Sequence, residues 1–301
     1  MILVFGSLNL DLSFALPHLP VPGETVLAPG YRPGPGGKGL NQAVAAARSG
    51  ASTAMYGRLG DDAFGHSLRR TMAEEGIDAS GVLDGALPTG CAAIAVGADG
   101  ANLILVGSGA NGEASAAQVP DAALGPGTTV VLQLEVPVQE TLALAARARS
   151  RGARTILNAA PATPLPPGAL DSIDVLVVNE VEAAMLTGEP AADGAGRQLA
   201  ARSGAAVIVT QGGAGASAFV DGQCWNIGAL AIRPVDTVGA GDAFVGVLAA
   251  RLDAGCDLPG ALRAASVAGG LACLTTGAVA ALPDADAIAA HLDRLAPAVL
   301  R

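Results

Sequence analysis

The sequence predicts an α/β fold: a three-layer α-β-α sandwich with a mostly parallel central sheet, plus a small second β-sheet. Three observations predict it. From residue 129 onward, short apolar runs alternate with helical stretches, the pattern of strands covered by helices on both faces. The strand candidates are continuously apolar, as in Ile2-Leu3-Val4-Phe5, and so read as buried on both sides. Two extended runs, 91–96 and 102–106, are joined by Gly97-Ala98-Asp99-Gly100 without a helix between them, a hairpin signal outside the alternation.

Taken in order, the strand at 2–5 ends in Gly6-Ser7-Leu8-Asn9-Leu10-Asp11, polar residues where open α/β sheets place ligand contacts. Residues 17–35 are rich in Pro and Gly, with one extended piece at Thr25-Val26-Leu27. With the hairpin they are expected to form a lid, built from about 12–35 and 89–108, on a single domain spanning 1–301. Gly36-Gly37-Lys38-Gly39 opens a helix over 40–48 that Gly50 closes, and a strand at 54–57 precedes a helix at about 66–75. Further strands are predicted at 129–134, 155–158, 175–178 and 207–210, with helices at 138–151, 180–186 and 194–202. A hairpin over 219–227, a short strand ending at 231–235 and helices over 244–252, 258–275 and 285–295 complete the chain.

Composition narrows the function. The chain has 301 residues, 51% hydrophobic and 15% charged, enough for a large aliphatic core. Its net charge of −10 argues against nucleic acid or an anionic membrane surface as a partner. Cys91, Cys224, Cys256 and Cys273 are widely spaced, without Cys-x-x-Cys, as expected of free thiols in a cytoplasmic protein. The N-terminus lacks a basic region and reads as a strand, not a signal peptide, and no membrane span is expected. Every basic residue but one is Arg or His; Lys38 is the single lysine, which marks its position as one where Lys and Arg differ.

The stretch Asp236-Thr237-Val238-Gly239-Ala240-Gly241-Asp242-Ala243-Phe244 stands between the strand expected at 231–235 and an apolar helix. Gly239, Ala240 and Gly241 let the backbone approach a ligand, and the unpaired amides of a helix start attract an anion. Asp242 supplies a carboxylate beside that cradle, and the pair suits phosphoryl transfer to a hydroxyl. The same four residues could be a turn and an N-cap. Gly36-Gly37-Lys38-Gly39 is not a Walker A loop, because Gly39 and not Ser or Thr follows the lysine. It is followed by two amides, Asn41 and Gln42, in the first turn of an otherwise apolar helix. No Gly-x-Gly-x-x-Gly follows the first strand, and Ser7 and Ser13 lack a nearby base, so neither a dinucleotide site nor a hydrolase triad is supported.

Two of these motifs, 36–43 and 236–244, resemble the first and second signatures of the PfkB carbohydrate-kinase family, in the form its ribokinase members show. The resemblance spans nearly the whole chain and implies a ribokinase-like fold and ATP-dependent transfer of phosphate to the primary hydroxyl of D-ribose. Alternatives within the family are fructokinase, nucleoside or pseudouridine kinase and sugar-acid kinase; outside it, an inactive sugar- or nucleotide-binding regulator. Carried over residue by residue, it implies sugar contacts at Asn9, Asp11, Gly37, Lys38, Asn41 and Glu135. Asp242 is the implied base, with Gly239, Ala240 and Gly241 as the anion cradle. For ATP it implies Asn179, Thr210, Gly212, Gly215 and Gly241; for magnesium, Glu182 through water. For an activating potassium ion it implies Asp236 with backbone near Ala272 and Gly277, although Ala281 stands where ribokinases commonly carry a Ser hydroxyl. A homodimer joined through the lid is a further implication.

Overall fold

The alternation expected after residue 129 is present over 129–210, and a shorter βα stretch, 38–84, stands earlier in the chain. In the computed structural model, which describes residues 1–99 and 101–301, ten strands form one sheet and four form another. The first half of the chain comprises β1 (Ile2–Phe5), β2 (Asn9–Leu16), β3 (Tyr31–Gly36), α1 (Lys38–Arg48), β4 (Thr53–Leu59), α2 (Ala63–Glu74), β5 (Asp78–Asp84), β6 (Gly90–Gly97) and β7 (Asn102–Gly107). There follow β8 (Thr129–Leu132), α3 (Val138–Ser150), β9 (Arg154–Asn158), β10 (Val175–Asn179), α4 (Glu180–Thr187), α5 (Ala192–Ser203) and β11 (Ala206–Thr210). The chain ends with β12 (Ala216–Val220), β13 (Gln223–Ile227), α6 (Ala240–Asp253), α7 (Leu258–Ala272), α8 (Ala285–His291) and β14 (Val299–Leu300).

The large sheet has the order β14-β13-β12-β11-β10-β9-β8-β1-β4-β5. Every pairing from β11 to β5 is parallel, and the three at the β14 edge are antiparallel. Alternate side chains of β1 enter opposite cores, as the period of a strand requires. Ile2 and Val4 join a cluster with α1, α2, α6, α7 and α8, and Leu3 and Phe5 one with α3, α4 and α5. All four are 0% exposed, so β1 is the hinge line between the two cores.

The small sheet runs β3-β2-β6-β7. Its hairpin strands β6 and β7 are where the sequence puts them; Gly100 of the predicted turn lies outside the described residues. Its third strand corrects the sequence reading. Thr25-Val26-Leu27 is not a strand, because the free edge of β2 is taken by Tyr31–Gly36, and Leu27 is left 85% exposed. Pro33 and Pro35 are tolerated there because β3 is an edge strand. The strand expected at 231–235 is also absent: Pro234 has no N–H, and the Val235 and Asp236 amides bond to the Cys273 carbonyl. That carbonyl is thereby withdrawn from a further helical turn, and α7 stops at Ala272 rather than 275. The last helix likewise ends early, at His291, and passes into one 3-10 turn, Leu292–Arg294. β5, rich in Asp, Ser and Gly, was not predicted.

The contact that matters most for the site is the crossing of α1 and α6. A Cβ on Gly246 would lie 2.5 Å from Ala45 Cβ and 2.5 Å from the Gln42 carbonyl oxygen. Only glycine permits that approach, and it brings the first turn of α1 against the first turn of α6.

Candidate active site

At the start of α6 the N-cap Gly239 is left-handed (φ 78°), a conformation that costs a residue with a Cβ. The Ala240 N–H is spent on the Thr237 carbonyl at 3.3 Å, so the free donors among the described residues are those of Gly239, Gly241 and Asp242. Ala240, one of the three donors expected from the sequence, is therefore partly withdrawn, and the Asp242 amide takes its place in the cradle. The Asp242 side chain is 7% exposed. Its Oδ2 accepts from Asn41 Nδ2 and its Oδ1 from Gln42 Nε2, both at 2.8 Å.

The first turn of α1 is satisfied differently. Glu135 Oε2 accepts the Lys38 N–H at 3.1 Å and the Ser7 hydroxyl at 2.6 Å, while Ser7 Oγ accepts the Gly39 N–H at 3.2 Å. An internal carboxylate thus occupies the place a phosphate takes in a phosphate loop. Asn9 Oδ1 accepts from Asn111 Nδ2 at 2.7 Å, and Asn111 in turn brackets the Leu8 backbone. Asn9 therefore keeps its amide N–H groups free for a ligand. The Oδ1 of Asn41 is buried without a partner, an acceptor that a hydroxyl could satisfy. Gly37 caps α1, and Gly36 lies opposite Asn9 in the β2–β3 pairing.

Charge is concentrated here. Burial works against the Lys38 ammonium, but Asp242, Glu135, Glu182 and Asp11 around it hold its pKa above the usual lysine value. Burial, with Glu135 and Asp242 nearby, pushes the Asp11 carboxyl up to about 7, against the pull of Lys38. Burial also raises Glu182, although the Asn179 N–H bound to it opposes the shift. A polyol suits such a cluster, since each hydroxyl can donate to a carboxylate and accept from an amide or ammonium.

Two adjoining cavities lie here; Lys38, Glu182 and Asp242 of this cluster line the smaller one, while Asn9, Asp11, Asn41 and Glu135 line neither. The smaller, about 200 Å³, is lined by Lys38, Asn158, Glu182, Gly239 and Asp242 among others. The larger, about 590 Å³, is bounded by Gly212, Gly215, Leu230, Ile232, Phe244 and Gly269, and is mostly apolar. Asn179, Thr210, Thr237 and Gly241 line both. The residues expected to hold ATP are thus split: Gly212 and Gly215 lie in the large cavity, and Asn179, Thr210 and Gly241 at the passage toward Asp242. Asn179 and Glu182 close a capping box, each side chain accepting the other's backbone N–H at 2.8 Å. Beyond the passage, Asp236 accepts the Val238 and Gly277 amides, at 3.0 and 2.9 Å. Asp236 and Gly277 are thus brought together, and Ala272 ends α7 just before the Cys273 carbonyl that ties down the same loop.

Sequence reasoning missed Ser7, Asn111, Gln42, Gln133 and Asn158, all buried polar groups behind the expected ligands. Gln42 and Ser7 sit inside motifs that were singled out, Gln133 and Asn158 stand in stretches that share the resemblance but drew no role, and Asn111 carried no local signal.

Residues 1–285 match the model of the pfkB family carbohydrate kinases, and the chain belongs to that family: it is a carbohydrate kinase. Its large, mostly parallel sheet with a small second sheet is the ribokinase-like fold. Among relatives, it is 33% identical over 291 residues to the ribokinase of Haemophilus influenzae, covering 93% of this chain and 94% of that one. It is 36% identical over 257 residues to a deoxyribokinase of Salmonella typhi, covering 82% and 84%. The structure of Arabidopsis thaliana ribokinase complexed with ribose and ATP superposes with a TM-score of 0.86 at 30% identity, covering 97% of this chain and 98% of that one.

Proposed function

We propose that the chain transfers the γ-phosphate of ATP to the primary hydroxyl of D-ribose, giving ribose 5-phosphate and ADP. One observation carries the reading: the buried Asp242 carboxylate, beside free helix-start amides, lines the smaller cavity with Lys38, and that cavity shares Asn179, Thr210, Thr237 and Gly241 with an apolar cavity large enough for a nucleoside. The ribokinase relatives supply the choice of sugar. Asn9, Asp11, Gly37, Lys38, Asn41 and Glu135 hold the sugar hydroxyls. The large cavity takes the adenosine, with Gly212 and Gly215 along it, and Asn179, Thr210 and Gly241 direct the phosphates inward. Asp242 accepts the proton of the attacking hydroxyl, and the amides of the α6 start receive the charge of the phosphoryl group in transit, Gly239 and Gly241 more than Ala240.

Magnesium bound with the nucleotide neutralises charge on its phosphates. Glu182 is a lone carboxylate with one oxygen already engaged by Asn179, which suits a cation kept at one remove by water. Asp236, with backbone carbonyls at Ala272 and Gly277, would supply an all-oxygen set of the kind that suits potassium, to which Ala281 adds no hydroxyl. The small sheet serves as a lid that excludes water from the reaction. Its β7 edge exposes Leu103, Ile104, Leu105 and Val106, which would be covered by pairing with a second copy to form a homodimer. No described helix is long and apolar enough to cross a membrane, and dependence on ATP points to the cytoplasm.

The test is ATP consumption with ribose, 2-deoxyribose, fructose, adenosine, cytidine and pseudouridine, with and without potassium. A kcat/KM for ribose well above the others supports the reading. Preference for 2-deoxyribose, which the Salmonella relative makes the second reading, would keep the mechanism and change the substrate. Turnover of none would remove the activity.

A further inference from the structure

Gln42 is 0% exposed and touches nothing that the proposed reaction handles except Asp242. It is one link in a chain of buried amides. Gln133 Nε2 donates to Gln42 Oε1 at 2.7 Å; Gln42 Nε2 donates to Asp242 Oδ1 at 2.8 Å and to Asn158 Oδ1 at 3.1 Å. Asn158 Nδ2 donates to the Val177 carbonyl at 3.2 Å.

That last bond sets the sense of all the others. A backbone carbonyl can only accept, so Asn158 must turn its NH₂ to Val177 and its oxygen to Gln42. Gln42 must then present its NH₂ to Asn158 and Asp242, and its oxygen is left for Gln133. Asn41 donates to the other oxygen of Asp242 from the same helix turn. Both carboxylate oxygens therefore face N–H groups that cannot accept a proton on the α1 side. Asp242 itself lines the cavity together with Lys38 and Gly241.

We infer that Gln42 is a positioning residue for the phosphoryl transfer, holding Asp242 in one rotamer as a proton acceptor aimed at the cavity, with Gln133 and Asn158 fixing its orientation. The inference rests on the reading of Asp242 as the base. The charged groups that face Asp242 are Lys38 from α1, Asp11 from β2 and Glu182 from α4. All three remain in the variants used to test the inference.

The experiment compares Gln42→Met, the double variant Gln42→Met with Gln133→Leu, and Asp242→Asn at a temperature well below every Tm. Loss of a hydrogen bond to a charged group predicts a kcat for Gln42→Met about 10- to 100-fold below that of the parent. KM for sugar and for ATP should stay within about threefold, because neither ligand is held by Gln42. Gln42→Met also leaves the Gln133 amide unpaired and lowers Tm; the double variant removes that amide and recovers part of the Tm. The inference requires kcat to stay where the single variant put it, with KM for sugar and for ATP still near the parent's. Recovery of kcat together with Tm, or a normal kcat in Gln42→Met, would reduce Gln42 to a packing residue. Asp242→Asn separates the two levels: an inactive Asp242→Asn beside a normal Gln42→Met sinks this inference alone, whereas an active Asp242→Asn sinks the base assignment beneath it.

Discussion

Asp11 should make this protein less stable at the pH where it works. Its carboxyl is displaced from 3.8 to about 7 by burial and by the neighbouring Glu135 and Asp242, with Lys38 opposing. The folded chain therefore keeps a proton on Asp11 over a range in which the unfolded chain has released it. Native protein binds more protons than unfolded between about pH 4 and pH 7, so stability falls as pH rises through that window and levels off above it. At about 1.4 kcal/mol per tenfold difference in proton affinity, the cost reaches about 4 kcal/mol above pH 7. Asp11→Asn cannot ionise and escapes the cost. Thermal unfolding of the ligand-free chain, parent against Asp11→Asn, should give similar Tm values near pH 4. The gap should widen in favour of the variant as pH rises to 8, to about 8–16 °C at about 2–4 °C per kcal/mol. The same variant should bind sugar less well, because the group that destabilises the empty site is one that a polyol would engage. A Tm difference that does not change with pH would refute the argument, since a simple packing effect of Asn would be the same at every pH.

Other expectations concern the rest of the site. Asp242→Asn should lower kcat by about a hundredfold to ten-thousandfold with little change in sugar affinity, seen as a kcat collapse at near-constant KM. Ser7→Ala removes the hydroxyl that fixes Glu135 and caps the Gly39 amide; steady-state kinetics should show KM for sugar raised about tenfold with kcat nearly kept. Gly246→Ala drives a methyl into Ala45 and the Gln42 carbonyl, and denaturant unfolding should show a loss of about 2 kcal/mol.

The sequence carried the architecture where composition and period agree, as in the wholly apolar β1 and the regular β/α alternation after β8. It failed where pairing, not propensity, decides. β3 is built from Tyr-Arg-Pro-Gly-Pro-Gly, a composition that argues for a loop, and is a strand because β2 offers it an edge. β5 is polar and, among the described residues, pairs in the sheet with β4 alone. In the site, the groups proposed to face the ligand lie inside compact motifs and were singled out from them. The groups that hold them cannot: Asn111 supports Asn9 from 102 positions away, and Gln133 supports Gln42 from 91. A buried amide network has no local signature, because its partners are chosen by the fold.

β2 has a further consequence. Its first residues, Asn9 and Asp11, lie among the buried acids, and its last, Ala15 and Leu16, reach outward beside β6, all on one continuous strand. It pairs with β6 along its whole length and with β3 from Asn9 to Phe14. If the small sheet moves as one body, it is a lever whose short arm ends in the proposed sugar contacts Asn9 and Asp11. On that reading a substitution far out on β6 or β7 would alter sugar affinity without touching the sugar.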